Sequence, residues 1–256
     1  MPQARIEVFP DLAELSRAAA QRFTTLAREY SEEGKVFAAA LSGGSTPQMF
    51  LEILAEPEFS QRITWENVHL FQVDERCVPP DNLQSNYRMI RSSLLIKVAG
   101  AMENFHRMRA EDEDRNAASA EYENEIREVL APAEGALPRF DLIFLGLGSD
   151  GHTASLFPGS PALAESSRWV CPNYVEKFQM HRLTLTYPIL NAAREIVFLV
   201  SGPSKAEILR QVLEGPRDRN RFPAQGIEPV DGSLVWYVDK AAAQLLDARR
   251  GHRKTR

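Results

Sequence analysis

At 256 residues, 44% hydrophobic and 25% charged, the chain has room for one large α/β domain or two small ones and enough apolar side chains to bury a core. A net charge of −5 removes any general attraction to nucleic acid or an acidic membrane surface, so an anionic ligand has to be held by local charge. No apolar run approaches the roughly 20 residues of a membrane helix, the first residues lack the hydrophobic block of a signal peptide, and Cys77 and Cys171 stand in no metal-binding spacing; a cytoplasmic protein with two reduced, packing thiols is expected.

In chain order, a short strand is predicted at 6–9. A helix follows, opened by a capping box of Asp11 and Glu14, with Leu12, Leu15, Ala19, Phe23, Leu26 and Tyr30 at helical spacing. KVFAAAL (35–41) reads as a strand. It runs into Ser42-Gly43-Gly44-Ser45-Thr46-Pro47 and then a helical pattern of Met49, Phe50, Leu51 and Leu54, with Ser45 or Thr46 as the expected cap and Pro47 in the first turn. A glycine loop that leads from a strand into a helix exposes unpaired amide N–H groups at the positive end of the helix dipole, which makes it an anion site. Neither GxxxxGK[ST] nor GxGxxG spacing is present, so nucleotide binding is disfavoured and a monophosphate is the preferred ligand; the same loop would also serve as a plain capped turn.

VHLFQV (68–73) is the next strand and ends in Asp74-Glu75-Arg76. Three charges at a strand end often make a solvated edge, but in a parallel sheet this is also where ligands bind. Residues 86–98 read as a helix, 107–109 as a connection, 112–130 as an acidic amphipathic helix and 131–138 as a loop. The central stretch is LIFLGLGSDGHTASLFPG (142–159). A buried-type strand breaks there into Gly146, Gly148 and Gly151, which allow positive φ and close approach to a ligand, and delivers Asp150 and His152 into the same loop.

Strands are predicted at 169–174 and 182–185, with Arg182 and Thr184 on one face, and another buried strand at EIVFLV (195–200). After it, Ser201-Gly202-Pro203-Ser204-Lys205 turns into a helix bearing Ile208, Leu209, Val212 and Leu213. A lysine in a first helical turn opposes the dipole at a cost of ~0.3 to 1 kcal/mol unless an anion sits nearby, so Lys205 hints at function. A strand at 234–238 and a helix at 239–246 close a single α/β domain (1–247). The basic tail 248–256 is expected to be disordered.

The alternation of strands and helices predicts an α/β fold, a mostly parallel, Rossmann-like sheet covered by helices. Four strand ends then meet along one edge. They bring together an amide-rich cradle, the cations Arg76, Arg182 and Lys205, and the imidazole of His152 near Asp150.

The ordered set LSGGSTP (41–47), VDERCVP (73–79), SNY (85–87), LGLGSDGHTASLFPG (145–159), RLT (182–184), SGPSKA (201–206) and PAQGIEP (223–229) resembles the 6-phosphogluconolactonases, across most of the chain. These belong to a wider group of phosphosugar enzymes that includes glucosamine-6-phosphate deaminases. The deaminases place a glutamate five residues after the histidine, where this chain has Phe157. The resemblance implies hydrolysis of 6-phospho-D-glucono-1,5-lactone to 6-phospho-D-gluconate in the oxidative pentose phosphate pathway, with no metal and no organic cofactor. A lactone is an activated ester, so a water, one base and one oxyanion stabiliser suffice. His152 is the expected base, Asp150 either orients it or binds substrate hydroxyls, and Arg76 stabilises developing charge or binds phosphate. Substrate binding is assigned to Ser42, Gly43, Gly44, Ser45, Asp74, Arg182 and Lys205. The expected partner is a small phosphorylated sugar lactone, with no nucleic acid or membrane; the oligomeric state is left open, with a monomer favoured. A phosphosugar isomerase or deaminase and a non-catalytic phosphosugar sensor are the alternatives.

Overall fold

The computed structural model describes residues 5–247, so the tail expected to be disordered lies outside the described residues. Among the described residues ten strands are formed: β1 (Arg5–Phe9), β2 (Phe37–Leu41), β3 (Val68–Gln72), β4 (Asp74–Arg76), β5 (Phe105–His106), β6 (Leu142–Gly146), β7 (Val170–Val175), β8 (Met180–Leu185), β9 (Glu195–Val200) and β10 (Ser233–Asp239). The helices are α1 (Leu12–Glu32), α2 (Ser45–Leu54), α3 (Pro57–Ser60), α4 (Asn86–Ile90), α5 (Arg115–Leu130), α6 (Tyr187–Ala192), α7 (Ala206–Glu214) and α8 (Lys240–Ala243).

Seven strands make one parallel sheet in the order β1-β10-β9-β6-β2-β3-β5. Side chains alternate between its faces, and both faces are buried. Along β6, Ile143 and Leu145 join Phe71, Tyr122, Phe198 and Leu209 on one side, while Leu142 and Phe144 join Phe23, Phe37 and Phe50 on the other. The second face packs against α1 and α2, with the Phe50 and Phe144 rings 4.4 Å apart. The middle of β2 is Ala38-Ala39-Ala40, small enough for the neighbouring elements to approach closely. Each large side chain buried here contributes ~1.5–3 kcal/mol of transfer free energy.

After β2 the chain builds outward through β3 and β5, then returns to place β6 on the other side of β2. The loops that leave β2 and β6 therefore diverge, and a crevice opens between them at the sheet's carboxyl edge. A second, antiparallel sheet, β4-β8-β7, stands beside that edge. The two sheets meet at Val73, whose N–H donates to Leu41 O while its carbonyl accepts from the N–H of Leu185, each at 2.9 Å.

Several local expectations are corrected. Asp74–Arg76 is a strand of the small sheet rather than a charged strand end, and β5 is an additional edge strand. The helix expected over 86–98 stops at Ile90 and widens into a π turn, Arg91–Leu95, closed by Ile96 N–H to Arg91 O. Ser92 Oγ donates to Met89 O there, the kind of side-chain competition that opens a helix. α5 starts at Arg115 because Asp114 caps it, accepting from the N–H groups of Asn116 and Ala117. α8 is one turn long, capped by Asp239.

Candidate active site

The anion cradle differs from expectation in a way that strengthens it. α2 begins at Ser45, and its N-cap is Gly44 (φ 110°), not Ser45 or Thr46. That backbone conformation favours glycine, and glycine supplies no side-chain cap. Among the described residues the N–H groups of Gly44, Ser45 and Thr46 find no acceptor, which leaves them available to a ligand. Gly43 is required for a different reason: a Cβ there would lie 1.8 Å from Asn86 Oδ1. Asn86 is buried and pinned, with Nδ2 donating to Asp74 O (2.9 Å) and Asp74 Oδ1 (3.2 Å) and its own N–H to Glu75 Oε1 (2.7 Å).

His152 sits in a tight loop closed by Gly148 N–H to His152 O at 2.8 Å. Its Nδ1 lies 2.5 Å from Asp150 Oδ1, and Lys177 Nζ lies 2.9 Å from Asp150 Oδ2. Burial works against an ionised Asp150, but the hydrogen bonds from His152 and Lys177 outweigh it and hold the carboxyl well below the usual carboxylate range. An ionised Asp150 can only accept, so Nδ1 carries the proton and Nε2 is the basic nitrogen of the neutral ring. Both Asp150 carboxylate oxygens are thus engaged, one by the imidazole and one by Lys177.

The cations lie on the small sheet and on the β9–α7 connection. Arg76 and Arg182 are direct cross-strand partners in the β4–β8 pair, and both side chains face the same cavity. Like charges in that relation repel unless something negative intervenes. Asp74 supplies part of it, 4.0 Å from Arg182, yet its oxygens also accept from Ser155 Oγ (2.6 Å) and Asn86. Arg182 is pushed below its ordinary pKa, first by burial and then, against the pull of Asp74, by Arg76. Nε of each arginine is buried without a hydrogen-bond partner among the described residues. Arg76 is braced by its Nη1 donating to Gln84 O. Lys205 forms no salt bridge among the described residues, and burial lowers its pKa against the pull of Asp150.

Ser42, Gly43, Gly44, Ser45, Asp74, Arg76, His152, Arg182 and Lys205 all line this one cavity of about 300 Å³, with Asn86 and Thr153. Asp150 stands behind it, in contact with His152. Glu75, one of the three charges expected at the end of the 68–73 strand, is buried under the floor, where Gln72, Arg76, Ser85, Asn86 and Tyr87 all donate to it. Sequence reasoning missed Asn86, Ser155 and Lys177 as site residues. Lys177 had no motif to mark it; the signal was the short gap between two adjacent predicted strands, which implies a hairpin tip. A larger depression of about 380 Å³, between Trp169 and the 132–137 loop, carries no comparable cluster. Among the described residues no group of three or more His, Cys, Asp or Glu side chains is arranged to hold a metal ion.

Residues 10–236 match the family described as glucosamine-6-phosphate isomerases/6-phosphogluconolactonase. The chain belongs to that family. It is 40% identical over 223 residues to a 6-phosphogluconolactonase of Synechocystis, covering 87% of this chain and 90% of the relative, and 36% identical to one of Haemophilus influenzae, covering 85% and 90%. Among solved structures of the family, the 6-phosphogluconolactonase of Trypanosoma cruzi superposes with a TM-score of 0.81 at 28% identity, covering 96% of this chain and 97% of that one. A monomeric glucosamine-6-phosphate deaminase superposes at 0.78 with 21% identity, covering 94% and 99%, a likeness of fold alone.

Proposed function

We propose that this chain hydrolyses 6-phospho-D-glucono-1,5-lactone to 6-phospho-D-gluconate, the hydrolytic step of the oxidative pentose phosphate pathway. The observation that carries the reading is the pairing of Arg76 with Arg182 across β4–β8, in one cavity with Lys205, the open N–H groups of α2 and the Asp150-oriented His152. This arrangement suits a substrate with a phosphate at one end and an ester carbonyl at the other. His152 Nε2 takes a proton from water as the water oxygen attacks the lactone carbonyl. Asp150 stabilises the imidazolium, and a guanidinium stabilises the oxyanion. The ring C–O bond then breaks, and the proton passes from His152 to the departing ring oxygen.

The reading places the enzyme in the cytoplasm, acting on a soluble phosphosugar lactone without a membrane or nucleic-acid partner. None of the described helices is long and apolar enough to cross a membrane. Purified protein is expected to accelerate acid release from the lactone above a matched uncatalysed control and to release no ammonia from glucosamine 6-phosphate. Ammonia release would favour the deaminase, and phosphosugar binding without turnover the sensor.

Lys205→Ala is expected to weaken 6-phosphogluconate binding by ~1.5–3 kcal/mol, the scale of a charge-assisted hydrogen bond. Because burial depresses the Lys205 pKa, its charge opposes folding below that pKa, and the variant's apo Tm should be equal or higher. A fall in apo stability matching the loss of binding would make Lys205 a structural residue instead.

A further inference from the structure

Phe157 is 4% exposed, yet it belongs to neither of the two apolar clusters that flank the large sheet. Its ring instead meets polar groups. The His152 imidazole stacks on it at 4.0 Å with a 25° tilt, and the Arg182 guanidinium carbon lies 5.2 Å from its centroid. Phe178, from the β7–β8 hairpin tip, packs edge-on at 5.8 Å.

The other side of the imidazole is equally constrained. A Cβ on Gly148 would lie 2.0 Å from Nδ1, 2.1 Å from Cε1 and 2.7 Å from Cγ, distances that place it over the ring's face rather than at its edge. Phe157 and Gly148 cannot occupy the same face, so the imidazole is held between them, with Asp150 on Nδ1. Three contacts therefore fix the plane of the ring, and only Phe157 offers it a π surface. A ring quadrupole attracts a cation over its face, so this contact strengthens when the imidazole becomes an imidazolium.

We propose that Phe157 is a positioning residue for His152: it fixes the plane of the imidazole and stabilises the imidazolium formed when water is deprotonated. The inference rests on the reading of His152 as the base. The charged groups around the imidazole are Asp150 from its own loop, Lys177 from the β7–β8 turn, Arg182 from β8 across Phe157, Arg76 from β4, and Lys205 from the β9–α7 connection. All of these charges are retained when Phe157 is exchanged for leucine or tyrosine, and Arg182 is the one that also touches the Phe157 ring.

The test compares Phe157→Leu, which keeps an apolar wall without a π face, with Phe157→Tyr, which keeps both. Phe157→Leu is expected to lower kcat about 10-fold, with KM and 6-phosphogluconate affinity within about 3-fold of the parent, and to displace the acid limb of the kcat profile to lower pH. Phe157→Tyr should restore both. The NMR titration of the His152 ring, identified by its disappearance in His152→Gln, should show a lower midpoint in Phe157→Leu than in the parent. That readout holds even if His152→Gln retains full activity, a result that would remove the base reading and leave the contact itself measured. An unmoved His152 midpoint in Phe157→Leu would overturn the proposal whatever happens to kcat. So would a parallel loss of kcat, product affinity and Tm that Tyr fails to restore.

Discussion

His152→Ala is expected to lower kcat by ~10²- to 10⁴-fold, the range for loss of a positioned general base. Product affinity should stay within a small factor, because the open N–H groups of α2 and the three cations belong to other loops. The lactone opens spontaneously, so the rate must be measured against a matched uncatalysed control at a pH where the background is slow. The parental rate should fall on the acid side as the imidazole is protonated, and that limb should vanish in the variant. Asp150 adds no second limb in the same window. Its folded pKa is depressed, so its ionised form, and the stability it contributes, persist above the unfolded carboxyl pKa of ~3.9 and are lost only as pH falls through the folded value. A variant that hydrolyses the lactone at the parental rate would sink the mechanism.

Gly43→Ala is expected to raise KM and weaken 6-phosphogluconate binding by on the order of 10²-fold, the loss of one or two charge-assisted hydrogen bonds. The added methyl would collide with Asn86 Oδ1 at 1.8 Å, and Asn86 cannot retreat while Asp74 and Glu75 hold it. The Gly43–Gly44 turn must therefore move, and the N–H groups it presents move with it. Overpacking of this kind also costs ~1–3 kcal/mol of stability. Combining the change with Asn86→Ala should restore part of the affinity by vacating the space. Parental affinity in Gly43→Ala alone would place the phosphate away from this loop.

Where a feature is local, the sequence announced it. The Phe37–Leu41, Leu142–Gly146 and Glu195–Val200 strands are each a buried apolar run followed within a few positions by glycine and polar residues, and each lies where expected. The cap of α2 was misjudged because Ser45 and Thr46 are good caps by type, whereas the positive φ of Gly44 decides where the helix begins. Lys177 could not be assigned a role from the sequence, since its contact depends on how the β7–β8 hairpin folds over the His152 loop, and Phe157 could not because its stacking on His152 depends on the path of the loop between them. The direct opposition of Arg76 and Arg182 likewise needed the register of β4 against β8, which no periodicity encodes in a strand as short as Asp74–Arg76.

The junction at Val73 bears on how the molecule comes into being. The cavity joins Ser42 to Phe144, 102 residues apart, and Asp74 to Ser155, 81 residues apart, before β8 brings Arg182 across to close it. Contacts so distant in sequence form only after long loops have closed, which slows assembly. On a chain emerging amino-terminus first, the Ser42–Thr46 loop, Arg76 and the Asp150–His152 pair are made before Arg182 and Lys205, so the cavity stays incomplete until β8 and the β9–α7 connection have left the ribosome. The full set of groups lining the cavity therefore comes together only when both sheets are complete.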